Sequence, residues 1–211
     1  MTSVEIGHET NARLTYNLLC EVTKSARLSL MYERGVQWRG MRHALDVIQG
    51  RGINRQIRRA YGFIASRYRP GDKIYLLGYS RGAYAVRSLA GIIDQVGLLQ
   101  SKHATERNIR DAYRHYQLSP DSRAADVFSR RYCHPKVEIE MIGCWDTVKA
   151  LGINLPLLWR LTANQHDFHN HHLGPSVKAG FHALARDERR LAYTPVMWTT
   201  DDAWQGHLEQ M

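Results

Sequence analysis

The chain of 211 residues is predicted to fold as one α/β domain spanning 1–211, with a mostly parallel sheet flanked by helices. An apolar run at 73–77 is rich in β-forming residues, and stretches with helical periodicity lie on both sides of it. A second run, at 137–142, alternates between apolar and polar residues. Strands separated by helices in this way are typical of α/β folds with parallel sheets.

The elements before the first of these strands follow from local signals. Thr10 is expected to cap a first helix, because leucines recur after it at helical spacing. A short buried strand is predicted at 29–32. A longer helix is predicted at 53–68, where apolar residues step by three or four positions, and Pro70 and Gly71 end it with a turn.

The later elements are predicted in the same manner. The strand at 73–77 leads without a spacer into a helix at 83–93, and a further helix is expected at 105–116. The alternating strand at 137–142 follows, and a last helix is expected at 176–193.

The composition excludes several classes of protein. With 44% hydrophobic and 23% charged residues, six Pro and 16 Gly, the chain is neither disordered nor collagen-like. No apolar run is long enough to span a bilayer, and the first residues show no secretion signal. Cys20, Cys133 and Cys144 lack CxxC spacing and are interpreted as free thiols, which favours a cytoplasmic location.

The net charge of +9 raises the question of a polyanionic partner, either nucleic acid or an anionic membrane. The cations are spread along the chain, and the densest stretch, at 51–69, coincides with the amphipathic helix. This stretch is interpreted as a solvated basic face, with a functional anion-binding surface as the alternative. Nucleic acid is the less favoured partner.

The motif that points to chemistry is Gly78-x-Ser80-x-Gly82, placed between a strand and a helix. This is the pattern of a nucleophile elbow, in which a strained turn exposes a serine hydroxyl above the sheet edge. We expect both glycines to be needed because side chains there would collide with the neighbouring backbone. The Arg81 N–H, directly after the serine, is the expected oxyanion donor at the helix N-terminus. An ordinary strand-to-helix connection is the alternative.

A serine nucleophile needs a base that is oriented by a carboxylate, in the chain order Ser, acid, His. Asp146 directly follows the strand at 137–142 and is the candidate acid, with a turn or helix-cap role as the alternative. His182 comes next in the right order and is the candidate base, although its expected position inside a helix equally suits a structural histidine.

Four further histidines lie close together in the sequence: His166, His169, His171 and His172. The cluster invites a metal site, but no carboxylate-spaced signature accompanies it. A solvated loop is therefore favoured, and no metal or other cofactor is predicted.

Four segments together carry a family resemblance: 68–84, 87–91, 145–152 and 182–190. They include Gly78-Tyr79-Ser80-Arg81-Gly82, Trp145-Asp146-Thr147-Val148 and His182-Ala183-Leu184-Ala185. The chain resembles the uncharacterised α/β-hydrolase family that contains the phospholipase effectors of type VI secretion systems. The resemblance implies a Ser–Asp–His hydrolase of ester or phospholipid substrates, with Ser80 as nucleophile and Asp146 as acid. It also implies peripheral membrane contact and export by such a system.

The chain departs from this family pattern at both ends. Members begin with a strand ending in a Phe-Asp-Gly-Thr-like segment, which is not found before Asn11, and they continue beyond Gln210 into a loop that carries another histidine. The sequence is thus interpreted as an α/β-hydrolase-like domain incomplete at both ends, in which either His182 is the base or the base is absent. The alternative function is an impaired hydrolase remnant that acts as an anion-binding or interaction module.

Overall fold

The computed structural model describes residues 10–23, 27–35, 51–147, 172–187 and 196–211. The α-helices in these ranges are α1 (Asn11–Val22), α2 (Arg51–Arg67), α3 (Arg81–Gln95), α4 (Glu106–Leu118) and α5 (Arg123–Tyr132), and a short 3-10 helix spans Ser101–His103. The strands are β1 (Ile74–Tyr79), β2 (Ile139–Trp145), β3 (Ala179–Ala183) and β4 (His207–Gln210).

The four strands form one sheet in the order β1-β2-β3-β4, and every neighbouring pair is parallel. Helices pack against this sheet, which confirms the predicted α/β class. In the register, Gly78 is paired with Cys144 and Cys144 with His182. The carboxyl ends of the strands therefore meet at one edge, which is where open α/β sheets bind ligands.

The core is formed by the sheet, by α3, which packs on β1 and β2, and by α2 and α4, which pack on α3. Of the predicted apolar stripe of α2, Ile53, Ile57 and Tyr61 are buried, whereas Ile64 and Tyr68 at its end are only partly buried. The Tyr61 hydroxyl donates to the Gly97 carbonyl at 2.7 Å and accepts from the Leu99 N–H at 3.1 Å. This side chain thus ties α2 to the turn that follows α3.

Most of the elements predicted from local signals are confirmed. Thr10 caps α1 by accepting the Arg13 N–H, and the other predicted helices before the second strand correspond to α2, α3 and α4. The predicted strands at 73–77 and 137–142 correspond to β1 and β2. Helix α5 was not predicted.

Two predictions are wrong. Residues 29–32 form no strand, and the predicted helix at 176–193 is replaced, where the structure describes it, by strand β3. In β3 buried and exposed residues alternate, with Gly180 and His182 inside and Phe181 and Ala183 outside. Pairing with β2 on one side and β4 on the other decides this conformation over the helical preference of its alanines.

No helix in the described ranges is long and apolar enough to cross a membrane. Cys20, Cys133 and Cys144 are free thiols. Burial raises the pKa of both the Cys133 and the Cys144 thiols to about 12, so neither is a reactive thiolate at neutral pH.

Candidate active site

Ser80 occupies a sharp turn between β1 and α3. Its backbone has φ 54° and ψ −118°, a conformation that residues other than glycine rarely adopt. Two hydrogen bonds hold it there: its N–H donates to the Trp145 carbonyl at 2.8 Å, and its carbonyl accepts from the Tyr84 N–H at 3.3 Å. The strain of this turn is thus balanced by bonds to β2 and to the first turn of α3.

The two glycines that flank this turn are not equivalent. A Cβ at Gly78 would lie 2.4 Å from the Gly82 carbonyl oxygen and 2.6 Å from the Ala83 nitrogen. At Gly82, which is exposed, a Cβ would meet no atom within 4 Å. The expectation of a steric need for glycine is confirmed at Gly78 and wrong at Gly82, because only Gly78 faces the incoming backbone of α3.

Helix α3 presents its N-terminus to this turn. Arg81 is its first residue, and the Ser80 side chain makes no capping hydrogen bond to the helix. The backbone amides of a first helical turn point out of the helix and carry its positive dipole end. The arrangement can stabilise negative charge that develops beside Ser80.

Asp146 directly follows β2 and is half-buried. It also has positive φ, 47°, and its N–H donates to the Ala183 carbonyl at 3.0 Å. The Ser80 N–H donates to the carbonyl of Trp145, the residue before Asp146. Ser80 and Asp146 therefore lie at the ends of neighbouring strands, whose axes are roughly 5 Å apart. The structure therefore brings Ser80 and Asp146 to the same edge of the sheet.

His182 lies in β3 rather than in a helix, and its side chain is 1% exposed. It shares the face of the sheet that α3 covers, since its register partner Cys144 contacts the Ala83 carbonyl on that face. Its Nε2 accepts the Thr147 N–H at 3.2 Å, and its ring packs against Trp198 with ring centroids 5.4 Å apart. Among the described residues, no side chain hydrogen-bonds the Ser80 hydroxyl, so His182 and Ser80 are not joined by a hydrogen bond.

The surroundings of His182 favour its neutral form. Burial lowers the pKa of His182 from its ordinary value. The Gln210 side chain and the Asp146 carboxylate act against this shift, whereas the positive charge of Arg87 reinforces it. The net direction is downward, so the imidazole is neutral at pH 7.

Arg87 is a buried cation that the sequence interpretation missed. Its guanidinium donates to the carbonyls of Val196 and Met197 and stacks over the Trp198 ring at 4.8 Å. Burial lowers the pKa of Arg87 to about 10, so it stays charged at neutral pH. A signal was present in the sequence, because Arg87 is one helical turn from the buried Ala83 and Ala90 on the apolar face of α3.

A cavity of about 1070 Å³ reaches Ser80, Arg81 and Gly82 from the side of β1. Its walls come from α1, the segment 27–35, α2, β1 and α3. The apolar part of the lining includes Leu19, Leu30, Ile64, Leu76, Val86 and Leu89. The strand-to-helix turn therefore opens onto a large and mainly apolar space.

The histidine cluster of the sequence is described only at its end. His166, His169 and His171 lie outside the described residues, whereas the His172 ring is 3.0 Å from the Thr199 hydroxyl and 3.6 Å from the Asp201 carboxylate. In the part of the chain that the structure describes, no three His, Cys, Asp or Glu side chains are grouped to hold a metal ion.

Comparison with known proteins places this chain in a family. A model of the type VI secretion system phospholipase effector Tle1-like catalytic domain matches residues 2–211. The chain belongs to this family. The family assignment supports a lipase or phospholipase function for the domain.

A relative from yeast is also found. An uncharacterised protein of Saccharomyces cerevisiae is 29% identical over 172 residues, which cover 74% of this chain and 24% of the yeast protein. The chain thus spans about a quarter of that relative's length. No solved structure matches the chain.

Proposed function

We propose that the protein is a serine hydrolase that cleaves carboxylic ester bonds in lipids, including phospholipids, through an acyl-enzyme. The observation that carries the proposal is the strained backbone of Ser80, held between β1 and the N-terminus of α3. A non-glycine residue at positive φ costs stability, and such strain is typical of functional turns. Membership of a phospholipase effector family supports the same reaction class.

In the proposed mechanism the Ser80 oxygen attacks the ester carbonyl and loses its proton to a base. The carbonyl oxygen becomes an oxyanion, which the Arg81 N–H stabilises at the N-terminus of α3. Collapse of this intermediate expels the alcohol, which takes up the proton, and water then hydrolyses the acyl-Ser80 ester. Asp146 orients and stabilises the protonated base.

The cavity beside Ser80 supports a lipid as the substrate. Its apolar side chains can cover an acyl chain while the ester reaches the turn, and no cofactor is required for this chemistry. A substrate drawn from a bilayer also requires peripheral membrane contact. Export by a type VI secretion system remains part of the proposal on family grounds alone.

The structure gives His182 a contact other than the one that a base at Ser80 needs. His182 has the expected chain order, but its Nε2 is already bonded to the Thr147 N–H. This observation favours a second candidate function, an impaired hydrolase that keeps the scaffold as an anion-binding module, for which the net charge of +9 is the other argument. The two candidates differ in whether Ser80 is reactive.

A fluorophosphonate probe distinguishes the two candidates, because it labels only activated serines. We expect labelling of the wild-type chain at Ser80, loss of the label in Ser80→Ala, and unchanged labelling in Ser66→Ala, which removes an exposed helical hydroxyl. Turnover of short p-nitrophenyl esters should follow the same pattern. An unlabelled wild type, or equal labelling and turnover in Ser80→Ala, contradicts the proposal.

A further inference from the structure

We propose that His182 is a positioning residue, which holds the turn carrying Asp146 by accepting the Thr147 N–H as a neutral imidazole. This inference rests on the proposed function for its catalytic meaning. It assigns His182 a role different from that of the proton acceptor at Ser80, which the chain order of the residues suggests. The base of the proposed mechanism is then a group other than His182.

The Asp146 turn is held by β3 at two consecutive amides. The Asp146 N–H donates to the Ala183 carbonyl at 3.0 Å, and the Thr147 N–H donates to His182 Nε2 at 3.2 Å. Thr147 is 1% exposed, so water does not replace the imidazole as acceptor. The positive φ of Asp146 is thus maintained by one backbone and one side-chain acceptor from the same strand.

The contacts of His182 define its tautomer. Because Nε2 accepts a hydrogen bond, the ring proton is on Nδ1. Nδ1 is buried and has no well-aligned partner among the described residues, although the Gln210 amide is close enough to favour protonation. The ring therefore has one bonded nitrogen, and that nitrogen is directed at the Asp146 turn.

Protonation would reverse this interaction, because Nε2 would then present an N–H to the Thr147 N–H. Four groups face the ring. They are Arg87 of α3, Cys144 of β2, Asp146 directly after β2, and the Trp198 ring. Arg87 is the cation among them, and together with burial it opposes the imidazolium. The environment thus preserves the acceptor that the turn needs.

The position of His182 also separates it from Ser80. His182 of β3 is paired with Cys144 of β2, which is paired with Gly78 of β1. The axes of β1 and β3 are therefore roughly 10 Å apart. Ser80 lies two residues farther along the chain, beyond the strand end. A proton transfer between them would require His182 to leave both the Thr147 amide and the Trp198 ring.

Two substitutions separate positioning from proton transfer. In His182→Gln a side-chain amide oxygen can replace Nε2 as acceptor, whereas His182→Leu offers no acceptor. We expect fluorophosphonate labelling of Ser80 within about threefold of wild type in His182→Gln and a loss of about tenfold or more in His182→Leu, as displaced catalytic groups commonly show. Equal losses in both variants overturn the positioning role.

A second measurement uses the wild-type chain and needs no activity. With ¹⁵N-labelled histidine, the His182 ring should give the signals of a neutral imidazole protonated at Nδ1, and it should remain neutral below pH 6.5, the ordinary histidine pKa. A ring protonated at Nε2 overturns the inference. If the probe does not label the wild type but the tautomer is as expected, the proposed hydrolase fails and the contact with the Asp146 turn stands.

Discussion

Replacing Gly78 by alanine should destabilise the fold and displace Ser80. The new Cβ would lie 2.4 Å from the Gly82 carbonyl oxygen, whereas Cβ contacts shorter than 3.0 Å are essentially never found, so β1 or the first turn of α3 must shift. Forced repacking of this kind costs about 1–3 kcal/mol. For a chain of this length that corresponds to a decrease in Tm of roughly 2–12 °C.

Gly82→Ala is the matched control, at the other flank of the same serine. Its Cβ meets nothing within 4 Å, and the position is helical, so alanine should raise the free energy of unfolding by about 0.5–1 kcal/mol. Urea unfolding followed by circular dichroism measures both variants, and fluorophosphonate labelling reports the geometry of Ser80. The steric reasoning is refuted if Gly78→Ala is as stable as wild type, or if both alanine variants lose stability equally.

Two further predictions concern parts of the fold away from Ser80. Tyr61→Phe should lower the free energy of unfolding by about 2–3 kcal/mol because it leaves the Gly97 carbonyl and the Leu99 N–H without their partner. Tyr113→Phe should change it little, because the buried Tyr113 makes no such pair of bonds within the described part of the chain. Equal effects of the two substitutions in urea unfolding would contradict this. Replacing Arg58 and Arg59 by glutamine should change vesicle binding by less than about threefold. Helix α2 leads into the start of β1, which lies at the sheet edge opposite Ser80. Arg59 is also paired with Glu33 at 3.2 Å. Liposome co-sedimentation at fixed salt measures this, and a tenfold loss would show that this face contacts the bilayer.

The unit from β1 to α3 could be predicted because its signals are local. The apolar run, the two glycines and the helical stripe lie within about twenty residues, and each depends only on residues that are close in the sequence. The same holds for α2, whose stripe packs as predicted, and for Asp146, which follows the alternating strand β2. These elements were sufficient to predict a parallel α/β sheet with Ser80 and Asp146 at its carboxyl edge.

The environment of His182 could not be predicted from the sequence. Its segment is rich in alanine and shows helical preference, yet it is a strand because β2 and β4 supply hydrogen-bonding partners on both sides. That choice turns the imidazole towards α3 and Thr147. It thereby separates His182 from Ser80, although the two residues have the chain order of a catalytic serine and its base.

By itself the sequence determined the fold class, the turn at Ser80 and the position of Asp146, since periodicity and glycine placement act over a few residues. Only the tertiary structure decided which nitrogen of His182 is occupied, where the Arg87 guanidinium binds, and that Gly78 rather than Gly82 is sterically required. The reason is distance along the chain: Thr147 and His182 are 35 positions apart, and Arg87 and Val196 are 109 apart. Contacts between such distant residues depend on how the strands are ordered in the sheet, and no local pattern records that order.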